Sequence, residues 1–406
     1  MVGDERDTVL TGLSRGPAPT PWERLVSGGA LVASYGAAVA VANRFALPRL
    51  APGPVVDEQV TVVVPARDEA PCIGAIVSDL RAQRGLRALR VIVFDDDSSD
   101  GTADLAAAAA EGDERITVVR STDPPAAGWT GKAAACAAAV AHAGSVVDEG
   151  VVLFVDADVR LAPDALAAAV TLLRRRNAAL VSPFPYQRTG SALERLVQPL
   201  LFWSWFSLLP VAVSHRTRRP SMAVACGQFL VFDARVYAAI GGHAAVAASP
   251  TEDLDLARAL RRTGERTTVA AAGRLASCRM YDGPRALVGG YTRWLWSAFG
   301  SPAGAAAVVA LYLVAYLVPP AAALLGDART RRWGLAGTAA GVLSRLLART
   351  TERGGRRHPD APDRLAGDLL DAAAHPASIL VFGALTASSI RARRSGRASW
   401  KARTLP

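Results

Sequence analysis

Val151-Val152-Leu153-Phe154-Val155-Asp156-Ala157-Asp158 decides how this chain is read: five apolar residues run directly into two carboxylates spaced two apart. An uninterrupted apolar run of that length suits a strand buried on both faces of a parallel sheet. Its last residues then stand at the C-terminal sheet edge, where open α/β folds bind their ligands. An isolated Asp-x-Asp is more often a turn or a helix cap, so the reading rests on the pattern around it.

Upstream, Val60–Val64, Val91–Phe94 and Ile116–Val119 read as three further strands. Helical stretches separate them at Cys72–Arg84, Ala103–Glu111 and Lys132–Ala143. Short apolar runs alternating with helices mark βαβ units, which predicts an α/β fold with a Rossmann-like, mostly parallel sheet. The strand ends carry the chemistry. Pro65-Ala66-Arg67-Asp68-Glu69 follows the first, and Asp95-Asp96-Asp97-Ser98-Ser99-Asp100-Gly101-Thr102 ends the second. Gly128-Trp129-Thr130-Gly131-Lys132 opens the helix after the third. A dinucleotide fingerprint is absent after the first strand, and Gly128–Lys132 has too few residues between its glycines for a P-loop.

Two acidic strand ends suit a nucleotide sugar. Asp95 and Asp96 accept hydrogen bonds from base or ribose, while Asp156 and Asp158 hold a hard divalent cation, Mg2+ or Mn2+, that bridges two phosphates. Gly131 and Lys132 add helix N-terminal amides and an ammonium, both favourable beside a pyrophosphate.

Taken in order, these motifs and Thr251-Glu252-Asp253 resemble those of family-2 glycosyltransferases of the GT-A fold, over about residues 60–300. Gly-Trp-Thr-Gly-Lys at 128–132, Arg279-Met280-Tyr281 and Trp400-Lys401-Ala402-Arg403 resemble a membrane-associated branch. That branch includes 4,4'-diaponeurosporenoate (carotenoid) and hopanoid-associated glycosyltransferases. The resemblance implies a UDP-sugar donor held by Pro65, Ala66, Arg67, Glu69, Asp95, Asp96, Gly131, Lys132, Asp156, Ala157 and Asp158. It implies metal ligation by Asp156 and Asp158, and Asp253 as the base that deprotonates the acceptor for an inverting transfer. Should the acceptor be a carboxylic acid, Asp253 would only orient it. Gly227, Gln228, Glu252, Arg293 and Trp294 fall where the family has acceptor contacts or a donor clamp. Two departures add charge: Asp97 stands where glycine is usual and Asp68 where asparagine is common.

Tyr291-Thr292-Arg293-Trp294 is only half of the processive synthases' Gln-x-x-Arg-Trp motif, which favours transfer of a single sugar over polymerisation. Two other readings compete: a processive polysaccharide synthase, and a non-catalytic membrane scaffold that keeps the nucleotide-sugar fold. Single motifs have plainer readings too. Glu252-Asp253 could serve a helix dipole, Lys132 could be a solvated helix residue, and Arg293 with Trp294 and Trp296 could anchor at headgroup depth. His243 and Cys136 read as structural.

Composition sets the surroundings. The chain has 406 residues, 51% of them hydrophobic, and a net charge of +10, with arginines crowded into 329–364 and 391–403. Those clusters flank apolar segments, so anionic lipid is the expected partner and nucleic acid is not. Cys72, Cys136, Cys226 and Cys278 form no Cys-x-x-Cys pair, which predicts neither a zinc site nor a disulfide framework. The expected organisation is a disordered tail at 1–21, an uncleaved membrane anchor and linker at 22–58, and a GT-A domain at 59–300. Membrane-associated helices at 301–390 and a basic tail at 391–406 complete it. Within the domain, 193–213 reads as an interfacial helix beside a lipophilic acceptor, and 333–347 as a surface helix. The whole reads as a multi-pass cell-membrane protein with its catalytic domain on the cytoplasmic side.

Overall fold

The computed structural model describes residues 18–144, 149–355, 365–395, 399–400 and 403–404. The expected tail lies almost wholly outside the described residues, as do Lys401 and Ala402 of the terminal motif. A long helix, α1 (Pro21–Ala46), starts on a capping box in which Thr20 and Glu23 satisfy each other's backbone amides. Its chain then joins the sheet, where Leu50 N donates to Ala271 O at 3.0 Å and Ala271 N to Pro48 O at 2.9 Å.

The sheet begins with β1 (Val56–Ala66), α2 (Ile73–Arg81), β2 (Leu86–Asp96), α3 (Thr102–Ala110), β3 (Ile116–Ser121), α4 (Gly131–Ala143) and β4 (Val151–Val155). It continues with β5 (Val159–Leu161), α5 (Ala165–Arg176), β6 (Leu180–Gln187), three short helices α6 (Ala192–Val197), α7 (Leu200–Phe206) and α8 (Val211–Ser214), and β7 (Phe229–Asp233). After it come α9 (Ala234–Ala239), α10 (Glu252–Arg262), β8 (Thr267–Cys278) and α11 (Pro284–Trp294). The strand order is β3-β2-β1-β4-β7-β6-β8-β5. The four strands read from the sequence pair parallel with one another, and β6 and β8, parallel to each other, run in the same direction, so the sheet is mostly parallel as expected. β7 runs antiparallel between β4 and β6, and β5 antiparallel to β8, so the whole sheet is mixed.

Alternation explains the two-sided core. Val60, Val62 and Val64 pack against α2 and α5, while Val63 faces α4 with Phe154 and Leu180. The Ala-rich α4 fits close to the sheet because Ala135, Cys136 and Ala139 present so little bulk. Cys136 is a core residue, as read. His243 is structural as well: its Nδ1 lies 2.7 Å from the Tyr237 hydroxyl and its ring 4.5 Å from that of Phe154.

After the sheet, α12 (Pro302–Tyr316), α13 (Val318–Leu325), α14 (Ala328–Arg353), α15 (Leu365–Ala373) and α16 (His375–Arg394) form a bundle against α1, α7 and α11. Among the described residues two helices, Pro21–Ala46 and the α12–α13 unit Pro302–Leu325, are long and apolar enough to cross a membrane. The bent pair Ala366–Ala373 and His375–Arg394 passes the same test only if taken together. Two expectations need correction. The segment 193–213 is not one interfacial helix: prolines at 199 and 210 break it into three, and Phe202, Trp203 and Phe206 are fully buried. The segment 333–347 is not a surface helix either. It lies within α14, whose Gly334, Gly337, Gly341, Ser344 and Arg345 are buried against α13, α1, α12 with α16, α7 and α6 in turn.

Candidate active site

Topology alone gathers the motifs. The parallel strands β1, β2 and β4 end at one sheet edge, and antiparallel β7 begins there, with Val155 opposite Phe229. β8 ends there too, with Cys278 opposite Val159 of β5. A cavity of about 960 Å³ opens over this edge. Pro65, Ala66, Arg67, Glu69, Asp96, Gly131, Lys132, Asp156, Ala157, Asp158, Gly227, Gln228, Glu252, Asp253, Arg293 and Trp294 all line it. Asp95 stands behind the wall: it is buried, and its Oδ1 accepts from the Ser98 hydroxyl.

The two departures in charge have a backbone reason. Asp68 and Asp97 have φ of 49° and 57°, the left-handed region that favours glycine and asparagine and that aspartate tolerates. Asp68 Oδ1 accepts from Ser99 N at 2.9 Å, tying the first strand-end loop to the second. Asp97 lies 3.6 Å from Arg67, which also donates to the Asp96 carbonyl at 2.5 Å.

Lys132 sits at the centre of the acidic wall. Its Nζ is 2.7 Å from Asp156 Oδ1, 3.3 Å from Glu252 Oε1 and 3.4 Å from Gly227 O. Burial alone would lower its pKa, but the Asp156 and Glu252 carboxylates outweigh burial and hold the ammonium well above its usual range. Thr130 caps α4 by accepting from Ala133 N at 3.3 Å, which aims the first turn, and Lys132 with it, into the cavity.

Asp253 is gripped by backbone. Gly227 N donates to its Oδ2 at 2.6 Å and Leu254 N to its Oδ1 at 2.7 Å. Burial, and next the neighbouring Glu252 charge, push its pKa up to about 7. Asp158 is also raised to about 7, by burial first and then by Asp156 and Glu69.

The fit of a divalent cation turns on Asp158, whose Oδ1 is buried without a hydrogen-bond partner. Such an oxygen costs stability unless something meets it. Among the described residues no cluster of three or more acidic, His or Cys side chains forms a complete metal cage. Two carboxylates lining the cavity nevertheless match the way Mg2+ is held, by one or two carboxylates plus substrate phosphates. The donor set therefore fits a hard cation bound together with a diphosphate.

Away from this edge the cavity turns apolar. Phe184, Leu200, Leu201, Trp205, Leu208, Leu295, Ala298 and Phe299 line it, and it reaches Tyr312 of α12 and Phe382 of α16. The sequence motifs missed the residues behind the wall. Gln228 is held by Gln187, whose Nε2 donates to its Oε1 at 2.7 Å, and Gln228 Nε2 reaches Cys278 Sγ at 2.9 Å. Gln187 is held in turn by α14: its N donates to Glu352 Oε1 at 3.1 Å and Arg349 donates to its carbonyl at 2.9 Å. No local sequence signal marks these partners: Gln187 and Gln228 lie 41 residues apart, Gln228 and Cys278 50, and Gln187 and Glu352 165.

Comparison with known proteins gives this geometry a context. The profile of glycosyl transferase family 2 matches residues 61–241. Among solved structures, the mannosyltransferase PcManGT from Pyrobaculum calidifontis, in complex with GDP-Man and Mn2+, aligns with a TM-score of 0.51 at 21% identity. That alignment covers 92% of this chain and 98% of that chain. S. aureus TarS 1-349, in complex with UDP-GlcNAc, aligns over 84% of this chain and 92% of that chain at 13% identity, with a TM-score of 0.37. Glucosyl-3-phosphoglycerate synthase from Mycobacterium tuberculosis, in complex with phosphoglyceric acid, aligns over 68% and 81% at 17% identity, with a TM-score of 0.37. At these identities the first likeness is one of fold, and nothing further rests on the other two. No curated protein sequence matches the chain.

Proposed function

We propose, on the glycosyl transferase family 2 profile that matches residues 61–241, that the enzyme transfers a single sugar from a UDP-sugar to a lipophilic acceptor at the membrane, inverting the anomeric centre. The observation that carries this reading is one continuous cavity, which joins an acidic strand edge to an apolar arm lined by Tyr312 of α12 and Phe382 of α16. A sugar nucleotide suits the first part. A hydrocarbon chain such as a carotenoid or other terpenoid suits the second, in keeping with the branch that the sequence resembles.

In this mechanism Pro65, Ala66, Arg67, Glu69 and Asp96 bound the nucleoside end, with Asp95 behind them, while Gly131 and Lys132 face the diphosphate. Asp156 and Asp158 would hold Mg2+ or Mn2+. When bound, the cation supplies Lewis-acid stabilisation of the departing diphosphate. Lys132 exchanges a contact with Asp156 for one with phosphate at modest cost, because its ammonium stays paired. Asp253 accepts the proton of the acceptor hydroxyl as that oxygen bonds to the anomeric carbon and the bond to the nucleoside diphosphate breaks. Its pKa near 7 suits a general base at neutral pH. Gly227 N–H fixes the carboxylate's position, while Arg293 and Trp294 close the acceptor side.

The test is incubation of membranes containing the protein with a panel of UDP- and GDP-sugars, followed by mass spectrometry of the lipid extract. A lipid gaining one hexose mass from a UDP-sugar supports the reading. A ladder of hexose additions, or product only from a GDP-sugar, overturns its single-transfer or donor part respectively.

A further inference from the structure

Helix α14 carries seven charged side chains and is not among the helices long and apolar enough to cross a membrane, yet its neighbours dictate where it runs. It has 26 residues, the same as α1, or about 39 Å at 1.5 Å per residue. The two helices lie side by side and point the same way. At one end Arg329 of α14 is 3.3 Å from Glu23 of α1. At the other, both are tied to the catalytic sheet: α1 through the Pro48–Leu50 bonds to Ala271, and α14 through Arg349 and Glu352 to Gln187. The α12–α13 unit runs away from the domain and turns at Gly326-Asp327 into α14, whose first amides are capped by Asp327.

The packing between them is that of helices in lipid. A Cβ on Gly337 would stand 2.9 Å from Ala30 Cα, one on Gly334 2.4 Å from Ala323 N, and one on Gly29 2.4 Å from Val314 O. Small residues allow such backbone approach where no hydrophobic drive favours association. Outward-facing residues are apolar: Leu335 is 57% and Leu343 42% exposed on α14, and Leu31 59% on α1. Between Arg332 and Arg345 the helix carries no charge. Arg345 turns inward, donating to the Arg195 and Leu196 carbonyls.

We propose that α14 is a third membrane-crossing helix, so that the turn Leu325–Arg332 lies on the opposite face of the membrane from the catalytic domain. This rests on the reading of α1 and α12–α13 as spans. If they cross, the charged tip formed by Glu23, Asp327, Arg329, Arg331 and Arg332 must reach water or headgroups, because charge within hydrocarbon is costly. From that tip to its anchor on Gln187, α14 then has no path except through the bilayer. Hydropathy misses it because glycine, alanine and threonine contribute little apolar surface.

The experiment labels single-cysteine additions with a membrane-impermeant maleimide in sealed vesicles of both orientations, with the wild type as background. Leu325→Cys marks the tip and Leu105→Cys, on α3, marks the catalytic domain; both sites are exposed. The expected result is opposite labelling: each vesicle orientation modifies one of the two, and detergent allows both. Labelling of both from the same side, or no labelling of Leu325→Cys in either orientation, overturns the crossing. Release of the protein from membranes by alkaline carbonate overturns the membrane premise instead, and with it the proposal.

Discussion

The Gly227 backbone amide donates to Asp253 Oδ2 at 2.6 Å, so the carboxylate read as the base is oriented by the chain segment that enters β7. Its partner at Oδ1 is also backbone. An amide at position 253 would keep the shape and lose the basic oxygen. With an alcohol acceptor, Asp253→Asn is expected to lower kcat by about 10² to 10⁴ and leave the donor KM within about twofold. A carboxylic-acid acceptor, which needs no deprotonation, should lose less than about tenfold. Steady-state kinetics on the two acceptor types separates base from orienting group.

As the proposed base, Asp253 also predicts a pH dependence. A base works ionised, and burial with the Glu252 charge holds this one up to about 7, so kcat/KM should rise with pH and level off above about 7. Glu252→Gln removes the like charge and should move the rising limb to lower pH. A limb that stays in place in this variant would assign the titration to another group.

Asp158 is expected to show the opposite faces of stability and function. Its folded pKa of about 7 lies above its ordinary 3.8. The metal-free fold therefore loses stability as pH rises from about 4 towards 7, where the unfolded chain ionises first. Asp158→Asn should stabilise the metal-free protein at pH 8, by roughly 4 kcal/mol at most, and so raise its melting temperature. Adding Mn2+ with nucleoside diphosphate should then stabilise the wild type and not the variant. A wild type that melts at the same temperature with and without these ligands would remove the metal role.

Strands β1 to β4 were legible because each is a valine-rich run that stops on charged residues, and β4 at Val151–Val155 has the bounds expected of it. Helix α14 was not legible. What holds it is glycine packing on α1 and a buried Arg349–Glu352 pair grasping Gln187, contacts between residues remote in sequence. The site divides the same way. Asp156, Asp158 and Asp253 sit in motifs, whereas Gln187 and Cys278, which brace Gln228 behind them, lie in no motif and become visible only when β6, β7 and β8 come together.

The apolar arm of the cavity carries a last prediction, one that separates acceptor from donor. Ala298 follows α11 and lines the channel beside Phe299 and Leu295, between the acidic edge and Phe382 of α16. A phenylalanine there would add bulk beside the apolar cluster that includes Leu295, Tyr312 and Phe382. Losing even one methylene's worth of acceptor contact costs about 1–3 kcal/mol. Ala298→Phe is therefore expected to raise the KM for a long-chain acceptor by about ten to a hundredfold, while hydrolysis of the sugar nucleotide in the absence of acceptor keeps the wild-type rate. A shortened acceptor that ends before Ala298 should be used equally by both proteins. If the variant instead slows hydrolysis and leaves the acceptor KM unchanged, the apolar arm does not receive the acceptor.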